Sequence, residues 1–286
     1  MTRVLIGLLS SFILFAATVH ADGGGLGKVQ FQNSCSPAVQ AKLQRGVAML
    51  HSFYYSAAKR TFEEVGQEDN NCVIAAWGFA SILMNNPLAG AGASPKDAEA
   101  AQAAIAKGRG MGAKTQRERD YLEAVAAYYE DFGKRTERER QVARANAYEK
   151  LAAKYPKDDE AQIFYALYVA GTQLQTDQTY AAYLKAAKIL EEQFKKHPQH
   201  PGVAHYLIHS YDAPPLAKQG IPAARRYAEI APDAPHALHM PSHIFTRAGA
   251  WDDSVATNLR SAAAASKSKD ADGAAHARDY AAYAYL

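Results

Sequence analysis

The chain has 286 residues, a formal net charge of +3, 48% hydrophobic residues and 21% charged residues. This composition excludes an intrinsically disordered chain, and the small net charge does not indicate nucleic acid as a partner. With two cysteines in the whole chain, a disulfide-dense scaffold and a four-cysteine zinc module are also excluded.

The first 21 residues, MTRVLIGLLSSFILFAATVHA, have the pattern of a secretory signal peptide. Arg3 supplies the positive start, residues 4–17 form the apolar core, and Val19 and Ala21 are the small residues of a cleavage site. An uncleaved anchor is the alternative, but the apolar run is short for a membrane span. We therefore expect residues 1–21 to be removed and the mature protein to be exported, periplasmic or extracellular, with no integral membrane segment.

The cysteines follow this segment, at Cys35 and Cys72. An even number of cysteines in an oxidising compartment favours a disulfide, and two buried free thiols are the alternative. Residues 22–36 are predicted to be an N-terminal extension, in which we expect residues 25–27 (Gly-Leu-Gly) to be flexible.

From residue 37 onward, apolar residues recur at spacings of three and four, which is typical of amphipathic helices. No segment shows a convincing alternating pattern of a β-strand, so the predicted fold class is all-α. The predicted helices cover residues 37–52, 55–66, 71–85, 95–108, 115–132, 136–154, 158–173, 178–196, 201–212, 216–231, 235–249, 251–266 and 272–285.

Residues 201–230 align on residues 235–264 at an offset of 34. The offset superposes Pro201 on Pro235, His205 on His239, His209 on His243 and Arg226 on Arg260. A period of 34 residues resembles the tetratricopeptide repeat (TPR). The resemblance implies a right-handed α-solenoid of stacked antiparallel helix pairs over residues 37–286, whose concave groove binds a protein or peptide partner.

Two segments, HPGVAHYLIHSYD and PHALHMPSHIF, are similar to a group of exported bacterial TPR proteins. That resemblance implies no particular activity, and members of the group continue beyond the DYAAYAYL with which this chain ends. The last helix carries Tyr280, Tyr283, Tyr285 and Leu286, which we expect to lack a packing partner. We therefore expect the solenoid to be truncated at its C-terminal end.

Seven of the ten histidines lie between residues 197 and 243. Two His-x-x-x-His pairs, His205 with His209 and His239 with His243, place imidazoles on one helix face, an arrangement common among metal ligands. The TPR resemblance implies that these four residues and His236 line the concave groove. A four-histidine site, or one in which Asp212 supplies a carboxylate, is the predicted centre for Zn, Cu or Fe.

Other features weigh against metal chemistry. Neither pair contains the glutamate of the H-E-x-x-H zinc-protease signature, and Pro241 can interrupt the helix between His239 and His243. Groove histidines can also simply hydrogen-bond a partner. No catalytic motif is recognised, so whether the protein is an enzyme stays open, and an exported binding or scaffold protein is the first hypothesis. A metal-binding protein or metalloenzyme is the alternative.

Four further histidines are not among the predicted site residues. His51 and His276 are weaker candidates, and we expect each to be structural. His197 and His200 flank a proline, and we expect both to lie in a solvated turn.

Overall fold

The computed structural model describes residues 25–286, and every regular element in that range is a helix. The predicted signal peptide, residues 1–21, lies outside the described residues. The all-α prediction is confirmed for the part described. None of the described helices is long and apolar enough to cross a membrane.

Fourteen α-helices follow a short 3-10 turn at Pro37–Val39. They are α1 (Gln40–His51), α2 (Tyr55–Glu68), α3 (Val73–Leu83), α4 (Pro95–Gly110), α5 (Gln116–Tyr129), α6 (Glu137–Lys154), α7 (Asp159–Ala170), α8 (Ala181–Lys196), α9 (Pro201–Tyr211), α10 (Ala217–Ile230), α11 (Pro235–His239), α12 (Pro241–Ala248), α13 (Trp251–Lys267) and α14 (Ala271–Tyr285).

The predicted helices agree with these elements to within a few residues, except that one predicted helix is divided. The segment 235–249 forms two helices, because α12 begins at Pro241. Proline has no backbone N–H to donate to the preceding turn, so it starts a helix readily and interrupts one that is already running.

Polar side chains define where several helices begin. Thr115 and Glu118 form a capping box at the start of α5, and Thr136 and Glu139 form a second one at α6. Each box satisfies backbone N–H groups of the first turn, which have no partner inside the helix. Both helices begin within one residue of their predicted starts at 115 and 136.

Consecutive helices pack as neighbouring pairs, which is typical of helical repeats. Alternate helices such as α3 and α5 also touch, and the contact between the helices most distant in the chain is that of α1 with α9. The two helices approach closely at Gly202, where a Cβ atom would lie 2.3 Å from Nδ1 of His51. Glycine at this position therefore allows the beginning and the middle of the chain to meet.

The N-terminal segment, residues 25–36, is packed rather than flexible, so the prediction for residues 25–27 is wrong. Leu26 and Phe31 are buried, and Phe31 stacks on Trp77 with ring centroids 4.8 Å apart. The backbone N–H of Lys28 donates to the carbonyl of Gln199 at 2.9 Å. Gly27 has a φ of +83°, a conformation that glycine adopts without strain.

The chain end is partly covered. Tyr280 was expected to lack a packing partner, but its ring contacts His239 and His243 at centroid distances of 4.8 Å, so that expectation is wrong. Tyr283, Tyr285 and Leu286 are exposed.

A disulfide joins Cys35 to Cys72, which confirms that prediction. The bond ties the N-terminal segment to the residue that precedes α3. Because the cysteines are 37 residues apart, the cross-link restricts a long loop of the unfolded chain.

We expect replacement of both cysteines by serine to lower the free energy of unfolding by about 2–4 kcal/mol. Urea denaturation of the wild type with and without reductant should give a similar difference, whereas reductant should not affect the double variant. Equal stability of oxidised and reduced wild type would contradict a stabilising role for this bond.

Candidate metal centre

The predicted site residues lie on three neighbouring elements. His205 and His209 belong to α9, His236 and His239 to α11, and His243 to α12. Their rings contact one another, but they do not form the single four-histidine centre that the sequence predicted. They divide into two groups of three, and the second group includes His276 of α14.

The first histidine cluster comprises His205, His209 and His236. One ring nitrogen of each lies within 4.8 Å of the others. The Nε2 atoms of all three rings are buried, and among the described residues none of these atoms has a hydrogen-bond partner. Buried polar groups are nearly always paired, so three unpaired nitrogens at one place need an explanation.

The backbone of α1 determines the tautomer of His205. Nδ1 of this ring lies 2.7 Å from the carbonyl oxygen of His51, and a carbonyl can only accept, so Nδ1 carries the proton. His51 is the last residue of α1, and carbonyls at a helix C-terminus have no donor within the helix. The Nε2 lone pair of His205 is therefore available to a ligand.

Burial keeps the cluster uncharged. It lowers the pKa of His205 to about 3. Burial, together with the neighbouring histidines, also holds the pKa of His209 and of His236 well below the usual 6.5. All three imidazoles are thus neutral at pH 7, which is the state that binds a metal.

Aromatic rings enclose the first cluster. Phe53 lies 4.4 Å from His205 and 5.6 Å from His236 between ring centroids, and Tyr227 stacks on His205 at 5.2 Å. Phe53 has a φ of +51°, which costs a residue with a side chain about 1–3 kcal/mol. Phe53 was not predicted as part of the site, since nothing in the local sequence pattern signals a left-handed residue there.

The second histidine cluster comprises His239, His243 and His276, again with ring nitrogens within 4.8 Å. The prediction that His276 is only structural did not anticipate this placement. Asp212, a predicted ligand, accepts instead from Nδ1 of His243 at 2.7 Å and from Arg247 at 3.0 Å. In this arrangement Asp212 orients a histidine rather than joining either cluster.

Both clusters border one cavity of about 370 Å³. Its walls include His209 and His236 from the first cluster, and His243 and His276 from the second. By contrast, His205 and His239 are fully buried, so these two do not line an open groove as the repeat register implied.

A third polar group, the His51 network, consists of His51, Glu160, His200 and Tyr206. His51 Nε2 lies 2.9 Å and His200 Nε2 3.1 Å from the Glu160 carboxylate, while His51 Nδ1 lies 3.0 Å from the Tyr206 hydroxyl. The remaining nitrogen of His200 accepts from the backbone N–H of Val203. Every ring nitrogen is paired, so the network has no free ligand atom and connects α1, α7 and α9.

Charge in the His51 network is held on the carboxylate. Burial alone would raise the pKa of Glu160, but the facing His200 and His51 outweigh it and lower that pKa far below its usual range. Burial lowers the pKa of His51. Glu160 therefore stays ionised between imidazoles that donate to it.

The prediction of two solvated histidines around Pro198 is half wrong. The side chain of His197 is 38% exposed and bonds Asp159, but that of His200 is only 5% exposed. His200 is the N-cap of α9. The sequence could have indicated the burial of His200 through its position before Pro201. A residue that precedes a helix-starting proline can cap the helix by turning its side chain back towards the first turn.

Comparison with protein-family models and with curated proteins finds no match for this chain.

The buried histidines predict that the metal-free protein loses stability in acid. Below pH 6.5 the unfolded chain binds protons at these histidines, whereas the folded chain does not, so the free energy of unfolding falls as the pH falls. Between pH 6.5 and 5.5 each such histidine should lower the free energy of unfolding by about 1 kcal/mol. Urea denaturation across this range measures the slope.

The variant His205→Gln, which removes one buried imidazole, should show a shallower slope than the wild type. A free energy of unfolding that is independent of pH between 7 and 5.5 would contradict buried neutral histidines.

Proposed function

We propose that the chain is an exported metal-binding protein of the TPR type, and that the first histidine cluster holds one divalent transition-metal ion. The observation that carries the proposal is the set of three buried, unpaired Nε2 atoms on His205, His209 and His236. A metal ion would satisfy all three at once.

The distances support this assignment. Bonds of about 2.0–2.1 Å to a tetrahedral ion place its nitrogen ligands about 3.3 Å apart. One ring nitrogen of each histidine lies within 4.8 Å of the others, so the three rings are close enough to share one ion. His205 is already oriented by the carbonyl of His51, as metal-bound histidines usually are by a second hydrogen bond.

Nitrogen ligands suit Zn²⁺, Cu²⁺ and Fe²⁺, and Cu²⁺ has the highest intrinsic affinity among them. Three protein ligands leave a further position for water or substrate, as in catalytic rather than structural zinc sites. Because His209 and His236 border the cavity, that position would face it. An enzyme that activates water is therefore compatible with this centre.

The proposal also includes a TPR architecture and export of the protein from the cytoplasm. Neighbouring helix pairs and the 34-residue offset support a right-handed solenoid, and the disulfide is compatible with an oxidising compartment.

A protein or peptide partner is the second candidate function. The observation that favours it is a separate cavity of about 680 Å³. This cavity lies between the N-terminal segment and the starts of α7 and α9. Lysine side chains, among them Lys28, Lys157 and Lys196, border it together with Asp158 and other acidic groups. Binding there would not require the histidine clusters, so metal titration separates the two functions.

We expect the metal-free protein to bind at least one of Zn²⁺, Cu²⁺ or Fe²⁺ more tightly than about 10 μM. Loss of an outer hydrogen-bond partner costs about 10–100-fold in affinity, so His209→Ala, which removes a ligand, should cost at least as much. Isothermal titration calorimetry gives both values.

The matched control is His197→Ala, because His197 bonds Asp159 and lies outside both clusters. Equal affinities of the His209→Ala and His197→Ala variants, or no binding tighter than about 10 μM, would refute the metal site.

A further inference from the structure

We propose that the second histidine cluster, His239, His243 and His276, holds a second divalent metal ion beside the first, so that the chain contains a two-metal centre. This inference rests on the proposed function.

The orientation of His239 follows from its partner. Nδ2 of Asn258 donates to the carbonyl of Ser254 at 2.9 Å, so the Oδ1 atom of the amide faces His239. Oδ1 can only accept, and it lies 2.6 Å from Nδ1 of His239. Nδ1 therefore carries the proton, and the lone pair is on Nε2.

The same reasoning applies to His243. Its Nδ1 lies 2.7 Å from the Asp212 carboxylate, whose other oxygen accepts from Arg247. A carboxylate paired with a guanidinium only accepts, so Nδ1 of His243 is the donor. The outer hydrogen bonds thus leave the Nε2 atom of each ring free to act as a ligand atom.

These two Nε2 atoms face each other at 3.0 Å. Two lone pairs at that distance repel, unless a cation is bound between them. A shared proton would account for the pair alone, whereas a metal ion also accounts for the third ring, His276, whose nitrogen lies within 4.8 Å. The separation itself fits, because two ligands on one ion with bonds of about 2.0–2.1 Å are about 3.0–3.4 Å apart.

The two clusters are close enough to form one centre. Ring centroids of His236 and His239 are 5.7 Å apart, and those of His209 and His243 are 5.8 Å apart. Rings this close would hold the two ions side by side, and the ions of known two-metal sites are about 3.5–4 Å apart. Both would border the same 370 Å³ cavity, into which a ligand that bridges two cations would fit.

The test is the number of Zn²⁺ ions bound by the full mature chain, measured by equilibrium dialysis and elemental mass spectrometry. We expect two equivalents for the wild type and for His197→Ala. His276→Ala, which changes an exposed side chain, should weaken the second equivalent at least tenfold and keep the first. His209→Ala should weaken the first and keep the second.

An independent readout uses Cu²⁺. Two ions about 4 Å apart couple magnetically, so the paramagnetic resonance signal of the doubly loaded wild type should be smaller or broader than twice that of His276→Ala. Two uncoupled copper signals would overturn the shared centre.

The outcomes separate the two proposals. One equivalent that is lost in His209→Ala and retained in His276→Ala would overturn the second site and leave the proposed function standing. One equivalent that is lost in His276→Ala and retained in His209→Ala would overturn both the metal site at the first histidine cluster and the two-metal centre. No Zn²⁺ or Cu²⁺ binding to the folded wild type would overturn both proposals.

Discussion

The histidine at the end of α1 holds together parts of the chain that are far apart in sequence. The ring of His51 bonds Glu160 of α7 and Tyr206 of α9, and its carbonyl oxygen orients His205. Gly202 makes this approach possible, since a larger residue would collide with the ring. The position of α9, and with it the free nitrogen of the first cluster, therefore depends on one close contact between two helices.

Two buried groups of histidines in one core differ in whether their nitrogens are paired. In the His51 network, each imidazole nitrogen has a donor or acceptor, and the carboxylate of Glu160 is ionised between two rings. In the first cluster, three nitrogens have no partner among the described residues. An unpaired buried polar group costs about 1–3 kcal/mol. The same core can satisfy histidines, and this contrast supports the proposal that a ligand pairs with the three nitrogens.

The sequence predicted the helices well because their signals are local. The spacings of three and four from which the helices were predicted repeat within one or two turns. The capping residues Thr115 and Thr136, which the structure shows, act over the same short range. Five of the six clustered histidines were also predicted, because two pairs of them are four residues apart in sequence, whereas His276 was missed. The errors at His200 and at residues 25–27 have another cause, since in both cases a segment outside the helices is buried by partners distant in the chain.

Which histidines act together could not be derived from the 34-residue repeat. Strict repetition would make His239 and His243 equivalent to His205 and His209, but α12 begins at Pro241 and the second pair lies on two helices instead of one. The outer partners differ accordingly, since a backbone carbonyl orients His205 whereas Asn258 orients His239. The 34-residue offset places histidines at similar positions, and the interruption of one helix gives the two pairs different surroundings. Two ions held in such unlike surroundings would differ in affinity and in the water they activate, which is a useful asymmetry for a centre that faces a single cavity.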